Sequence, residues 1–111
     1  MATNYTRGRA FEYRTKALLE SLGYYVIRSA GSKGIADLVA IGDTVAAFVQ
    51  CKRSGAISAK EWNALYSKCL ELHAIPLVAM MRGKHRGVAI YRLLGPRVSR
   101  AERDWSLFTF I

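Results

Sequence analysis

The hydrophobic and polar positions along the chain change period several times. Thr6 to Leu22 repeats near helical spacing through Phe11, Leu18 and Leu22, with Thr6 as a cap and Gly23 as the stop. Tyr24 to Ala30 is rich in aromatic and β-branched residues and predicts a strand, and Gly31-Ser32-Lys33-Gly34 predicts a loop. Ile35 to Ile41 and Val45 to Lys52 are almost continuously apolar, predicting strands covered on both faces and joined by a Gly42-Asp43 turn. Ser58 to His73 predicts a second helix, with a Ser58/Glu61 capping box and a stripe of Trp62, Leu65, Tyr66, Cys69 and Leu70. Ile75 to Met81 and Gly87 to Leu93 predict two more strands, joined by the basic segment from Arg82 to Arg86. The apolar finish of Trp105, Leu107, Phe108, Phe110 and Ile111 fits either a last strand or a subunit contact. The order α-β-β-β-α-β-β predicts a single α/β domain, residues 1–111, with a mixed central sheet flanked by helices.

Two strands carry polar residues that this pattern does not explain. Asp37 interrupts one apolar run, and Gln50 and Lys52 end the next. Buried polar and charged groups are costly unless paired or metal-bound, so neighbouring ones call for a shared role. A two-residue turn at Gly42-Asp43 would set Asp37 opposite Phe48 and Ile35 opposite Gln50. Asp37, Gln50 and Lys52 then share a face, with Asp37 diagonal to Gln50 at about 7–8 Å along the backbone. A four-residue loop keeps that parity, and a three-residue loop destroys it.

Charge narrows the chemistry. With 17 Lys and Arg against 8 Asp and Glu, the formal charge is +9, a bias toward polyanions and first of all nucleic acid. No basic amphipathic helix suggests a membrane surface, no run is long enough to span a bilayer, and the N-terminus lacks the apolar core of a secretory signal. An intracellular, cytoplasmic site of action is expected. Cys51 and Cys69 are isolated and read as small core residues, not as a zinc site or disulfide. His73 reads as a helix-end residue, Asp43 as a turn residue and Glu61 as a cap.

These residue types suit phosphodiester cleavage. Magnesium takes hard oxygen ligands, which Asp37, the Gln50 amide and the Cys51 carbonyl offer, with Glu12 the best remaining acid. Lys52 is placed to orient or deprotonate a water and to offset charge in the transition state.

The series Arg7-Gly8-x-x-x-Glu12, Gly31-Ser32-Lys33-Gly34-x-x-Asp37-Leu38-Val39-Ala40 and Phe48-Val49-Gln50-Cys51-Lys52 resembles the restriction-endonuclease-like nucleases. Within them it is most similar to the archaeal-type Holliday junction resolvases, most clearly over residues 7–54. The resemblance implies a homodimer that nicks opposing strands of a four-way DNA junction using Mg²⁺, with Mn²⁺ as a substitute. It assigns Glu12, Asp37, Gln50 and Lys52 to the catalytic site and Ser32 to the scissile phosphate. It assigns Arg7 and Arg9 to DNA contact. Lys33, Arg53, Arg82, Lys84, His85 and Arg86 join them as basic candidates. Many members carry glutamate at the position of Gln50, and a neutral amide gives the metal less charge and cannot act as a base. The alternatives are a nuclease for other branched or duplex DNA, a catalytically weakened DNA-binding module, and a nuclease directed at RNA. Trp105, Phe108 and Phe110 are the candidates for the dimer surface.

Overall fold

Thr3 and Thr6 close the first helix between them. The Thr3 hydroxyl accepts from the Thr6 N–H at 3.1 Å, and the Thr6 hydroxyl accepts from the Thr3 N–H at 2.8 Å. The cap is thus Thr3 rather than Thr6, and α1 runs over Asn4–Ser21. It ends in a Schellman arrangement: Tyr24 N–H donates to the Leu19 carbonyl and Gly23 N–H to that of Glu20, with Gly23 at φ 96°. The computed structural model describes residues 3–29, 34–83 and 87–108.

Seven further elements follow: β1 (Tyr25–Arg28), β2 (Leu38–Ile41), β3 (Ala46–Cys51), α2 (Ala59–Leu72), β4 (Ile75–Arg82), β5 (Gly87–Leu93) and β6 (Trp105–Leu107). The strands form one sheet in chain order. All neighbours are antiparallel except β3 and β4, which are parallel and joined through α2. The expected α/β class and element order hold, and β6 adds a last strand.

Alternation along β3 and β4 feeds two cores. Ala47, Val49, Leu77 and Ala79 face α1 with Phe11 and Leu19, while Phe48 and Val78 face α2 with Trp62, Leu65 and Cys69. The buried line on α1 is Phe11, Thr15 and Leu19; of the predicted stripe Phe11 holds, Leu18 is half-buried beside Leu19, and Leu22, past the helix end, lies exposed. On α2, Leu70 is exposed, because Trp62, Leu65 and Cys69 already fill the contact with the sheet.

The β2–β3 connection is longer than predicted. Ile41 pairs with Ala46 and Leu38 with Val49, leaving Gly42 to Val45 as a four-residue loop closed by Gly42 N–H to the Val45 carbonyl at 2.8 Å. The parity survives. The ladder stops at Leu38 and Val49, and just beyond it the register slips: Asp37 N–H donates to the Val49 carbonyl at 2.8 Å, so Asp37 lies beside the Val49–Cys51 end of β3.

Part of the apolar finish packs against the chain itself, while Leu107 is exposed. Trp105 stacks on Tyr91 at 4.5 Å and approaches Trp62 at 5.3 Å. Phe108 packs against the α1-side core. Trp105 and Phe108 are thus half-buried against their own chain, and Phe110 lies outside the described residues.

Candidate active site

Asp37 sits just before β2 and is held on all sides by backbone. Its N–H donates to the Val49 carbonyl and its carbonyl accepts from Ser29 N–H, each at 2.8 Å. Its Oδ2 accepts from the Cys51 N–H at 2.8 Å. The carboxylate is thereby fastened to the end of β3, the strand that supplies Gln50 and Lys52.

Glu12 reaches the same region from α1. The residue before it, Phe11, is buried under the sheet, which carries Glu12 to the rim of that contact. Burial, and after it the negative charge of Asp37, raises the Glu12 carboxyl above its ordinary range. Arg28, ending β1, opposes that rise with an ion pair from Nε to Glu12 Oε1 at 3.0 Å. The Arg28 guanidinium also lies over the Tyr13 ring at 5.0 Å, with that of Arg9 at 5.8 Å. The phenol of Tyr13 is drawn below its usual range by the Arg9 hydrogen bond and then by the charge of Arg28.

Gln50 is buried, and its Nε2 donates to the Ile35 carbonyl at 3.0 Å. Only the nitrogen of an amide can donate there, so the oxygen is the end left for a cation. The Cys51 thiol is pushed well up, first by burial and then by the charges of Asp37 and Glu12. The Cys69 thiol rises to about 11 through burial. Both thiols stay protonated at neutral pH, so the groups gathered here present oxygens and no thiolate.

Lys52 is fixed through its backbone: its N–H donates to Ala79 at 2.8 Å, and its carbonyl accepts from Gly55 at 2.7 Å. Its ammonium forms an ion pair with Oε2 of Glu61 on α2. Burial raises the Glu61 carboxyl, but hydrogen bonds from Lys52 and Ser58 outweigh it and hold the group below the ordinary range.

A cleft of about 370 Å³ opens beside Cys51 and Lys52, with Arg7 and Arg53 in its wall. A smaller one of about 220 Å³ shares those two arginines and adds Arg14. Arg82 ends β4, and because β4 runs parallel to β3 it lies at the same edge of the sheet as Lys52. Arg9 stands apart from these clefts, against Tyr13. Ser32, Lys33, Lys84, His85 and Arg86 lie outside the described residues.

Three residues of this neighbourhood escaped the sequence reading. Arg28 is sixteen positions from Glu12, a distance only the fold closes. Glu61 was fully accounted for as a cap, which hid its second partner. Arg14 carried no motif, and only the helix sets it one wall away from Arg53.

The family model for archaeal Holliday junction resolvases matches residues 3–63, more than half of the chain. The chain belongs to this family. The matched span contains Glu12, Asp37, Gln50, Lys52 and Glu61. A relative, the crossover junction endodeoxyribonuclease Hjc of Methanocaldococcus jannaschii, is 46% identical over 54 residues, 49% of this chain. The matched stretch takes in 40% of that relative's length. The structure of Archaeoglobus fulgidus Hjc, a Holliday junction resolvase from an archaeal hyperthermophile, aligns with a TM-score of 0.68 at 22% identity. That alignment covers 89% of this chain and 81% of the other, which shows a shared fold. Among the described residues no helix is long and apolar enough to cross a membrane.

Proposed function

We propose that this protein is a homodimeric endonuclease that resolves four-way DNA junctions by metal-assisted hydrolysis of phosphodiester bonds. One observation carries the reading: Glu12 and Asp37, from separate elements, bring two carboxylates within electrostatic reach of each other at the end of β3. The same strand end presents Lys52 to a cleft walled by arginines.

The donor set fits a hard divalent cation. Among the described residues no three His, Cys, Asp or Glu side chains converge, so the carboxylates of Glu12 and Asp37 would be completed by neutral oxygens. The Gln50 amide and the Cys51 carbonyl supply them, together with water and phosphate oxygens, as Mg²⁺ favours. Mn²⁺ suits the same set. Such an ion, when bound, polarises the scissile phosphate and lowers the pKa of a bound water.

The remaining work belongs to side chains. Lys52 sets its positive charge against the phosphate as charge accumulates and orients the attacking water. Arg7, Arg14 and Arg53 grip the backbone beside it and Arg82 extends that basic edge, while Arg9, Lys33, Lys84, His85 and Arg86 are further candidates for DNA contact by their charge. The family resemblance gives Ser32 a role at the scissile phosphate. Two equal cuts across a junction need two equal sites, which a symmetric dimer provides. The neutral Gln50 favours one second reading, a binding module whose activity is weakened because its metal sees less charge.

End-labelled junction and matched linear duplex, each with Mg²⁺ and with EDTA, separate the two readings. Paired symmetric nicks confined to the junction, requiring Mg²⁺ and lost in Asp37→Asn and Lys52→Ala, are the expected result. Tight binding without cleavage under Mg²⁺ or Mn²⁺ would establish the binding module instead. Light scattering at working concentration tests the dimer.

A further inference from the structure

We infer that Glu61 is a positioning residue that aims the Lys52 ammonium at the reacting phosphate, a role that rests on the nuclease reading above. Glu61 divides its two oxygens between two tasks. Oε1 takes the Ser58 N–H at 3.3 Å and the Ser58 hydroxyl at 3.1 Å, while Oε2 pairs with Lys52. The capping interaction alone needs one oxygen, so the second is available to act outside the helix.

The carboxylate is held on a stiff mount. Its neighbour Trp62 is completely buried and donates Nε1–H to the Gly95 carbonyl at 2.9 Å. The Arg97 guanidinium lies over the Trp62 ring at 5.7 Å and donates to the Ile57 carbonyl at 2.6 Å. The first turn of α2 is thus tied to the segment after β5 as well as to the sheet. Lys52, by contrast, has a fixed backbone and a long flexible side chain. Glu61 is the group that converts a fixed backbone into a fixed ammonium.

Pairing with Glu61 does not exhaust Lys52. An ammonium has three donors, and Glu61 takes one. Two are left for a phosphate oxygen and the attacking water. The pair is only partly shielded, with side-chain exposures of 26% for Lys52 and 38% for Glu61, so a substrate can reach it.

The test is Glu61→Gln in single-turnover cleavage of the junction with saturating Mg²⁺, with junction affinity and melting temperature measured alongside. Glutamine serves equally at this capping position, so it removes the charge and leaves the helix start intact. The expected result is a cleavage rate lowered by about tenfold or more, the range seen when supporting partners of a metal-site ligand are removed, with affinity unchanged and the variant fully folded at the assay temperature. A rate unchanged or raised while the wild type cleaves would overturn the role and leave the nuclease reading standing. So would a loss that appears only together with lower affinity or with unfolding at the assay temperature. A wild type that never cleaves removes the nuclease reading and this inference with it. Should Glu61→Gln fail to fold, Glu61→Asp keeps the charge but withdraws it by one methylene, and the same split is required of it.

Discussion

Arg28 Nε lies 3.0 Å from Glu12 Oε1, and both side chains are largely shielded from solvent. The pair supplies a positive charge to a carboxylate that burial and Asp37 otherwise push toward its neutral form. Even with Arg28 in place the carboxyl stays above its ordinary range. A raised folded-state pKa means that stability from this group is present at low pH and lost as pH rises through the folded value. Glu12→Gln is therefore expected to melt higher than the wild type at pH 7–8 without metal, with the gap closing below the ordinary carboxylate range, roughly pH 4. Mg²⁺ should reverse the order, because a cation stabilises the ionised form that only the wild type has. Melting curves across pH, with and without Mg²⁺, check both signs.

Gly55 turns the chain directly after the site. It has φ 80°, and a Cβ there would meet the Met80 side chain at 3.1 Å. Gly55→Ala should cost about 1–2 kcal/mol for the left-handed backbone alone. Because the Gly55 N–H holds the Lys52 carbonyl at 2.7 Å, cleavage should fall with it. Urea unfolding and a cleavage assay on one preparation measure the two effects.

Arg97 is buried and donates to the carbonyls of Ile57, Ser99 and Arg100. Its backbone is clamped by Asn63 on both sides, at 2.7 and 3.0 Å. Arg97→Ala should lower unfolding free energy by roughly 2–3 kcal/mol, since charged hydrogen bonds are lost and a buried carbonyl is left unpaired. Denaturant titration provides the measurement.

The arginine-walled clefts predict a graded salt response. Arg7→Ala, Arg14→Ala and Arg53→Ala should each weaken junction binding and reduce the slope of log affinity against log salt by about 1, if each neutralises one phosphate. Leu70→Ser, at an exposed position on α2, should leave that slope alone. Titrations at several salt concentrations give the slopes.

How much of this was readable beforehand depended on whether a feature was local. The second helix carried its own signals: Ser58 and Glu61 bracket its start, and Trp62, Leu65 and Cys69 repeat at its period. The β2–β3 hairpin was readable in parity but not in length, because Gly42-Asp43 is as good a start to a four-residue loop as it is a complete two-residue turn. The cap at Thr3 was overlooked because Thr6 is equally suitable by residue type, and only the reciprocal bonds show which of them leads.

The site divided in the same way. Asp37, Gln50 and Lys52 announced themselves as polar breaks in apolar strands. Arg28 and Glu61 did not, because each already fits an ordinary local role, one ending a strand and the other capping a helix. The packing of Trp105 and Phe108 against their own chain was not legible, because an apolar C-terminal run looks the same whether it meets its own core or another chain.

The parallel pairing of β3 with β4 separates possessing the chemical groups from holding them in place. A fragment ending after α2 would contain Glu12, Asp37, Gln50, Lys52 and Glu61, yet β3 would lack one of its two neighbours and Lys52 its hydrogen bond to Ala79. During folding, the local hairpin of β2 and β3 can form early, whereas the β3–β4 contact must wait for α2 to span the crossover. The groups of the candidate site therefore come into register only when the non-local β3–β4 pairing docks.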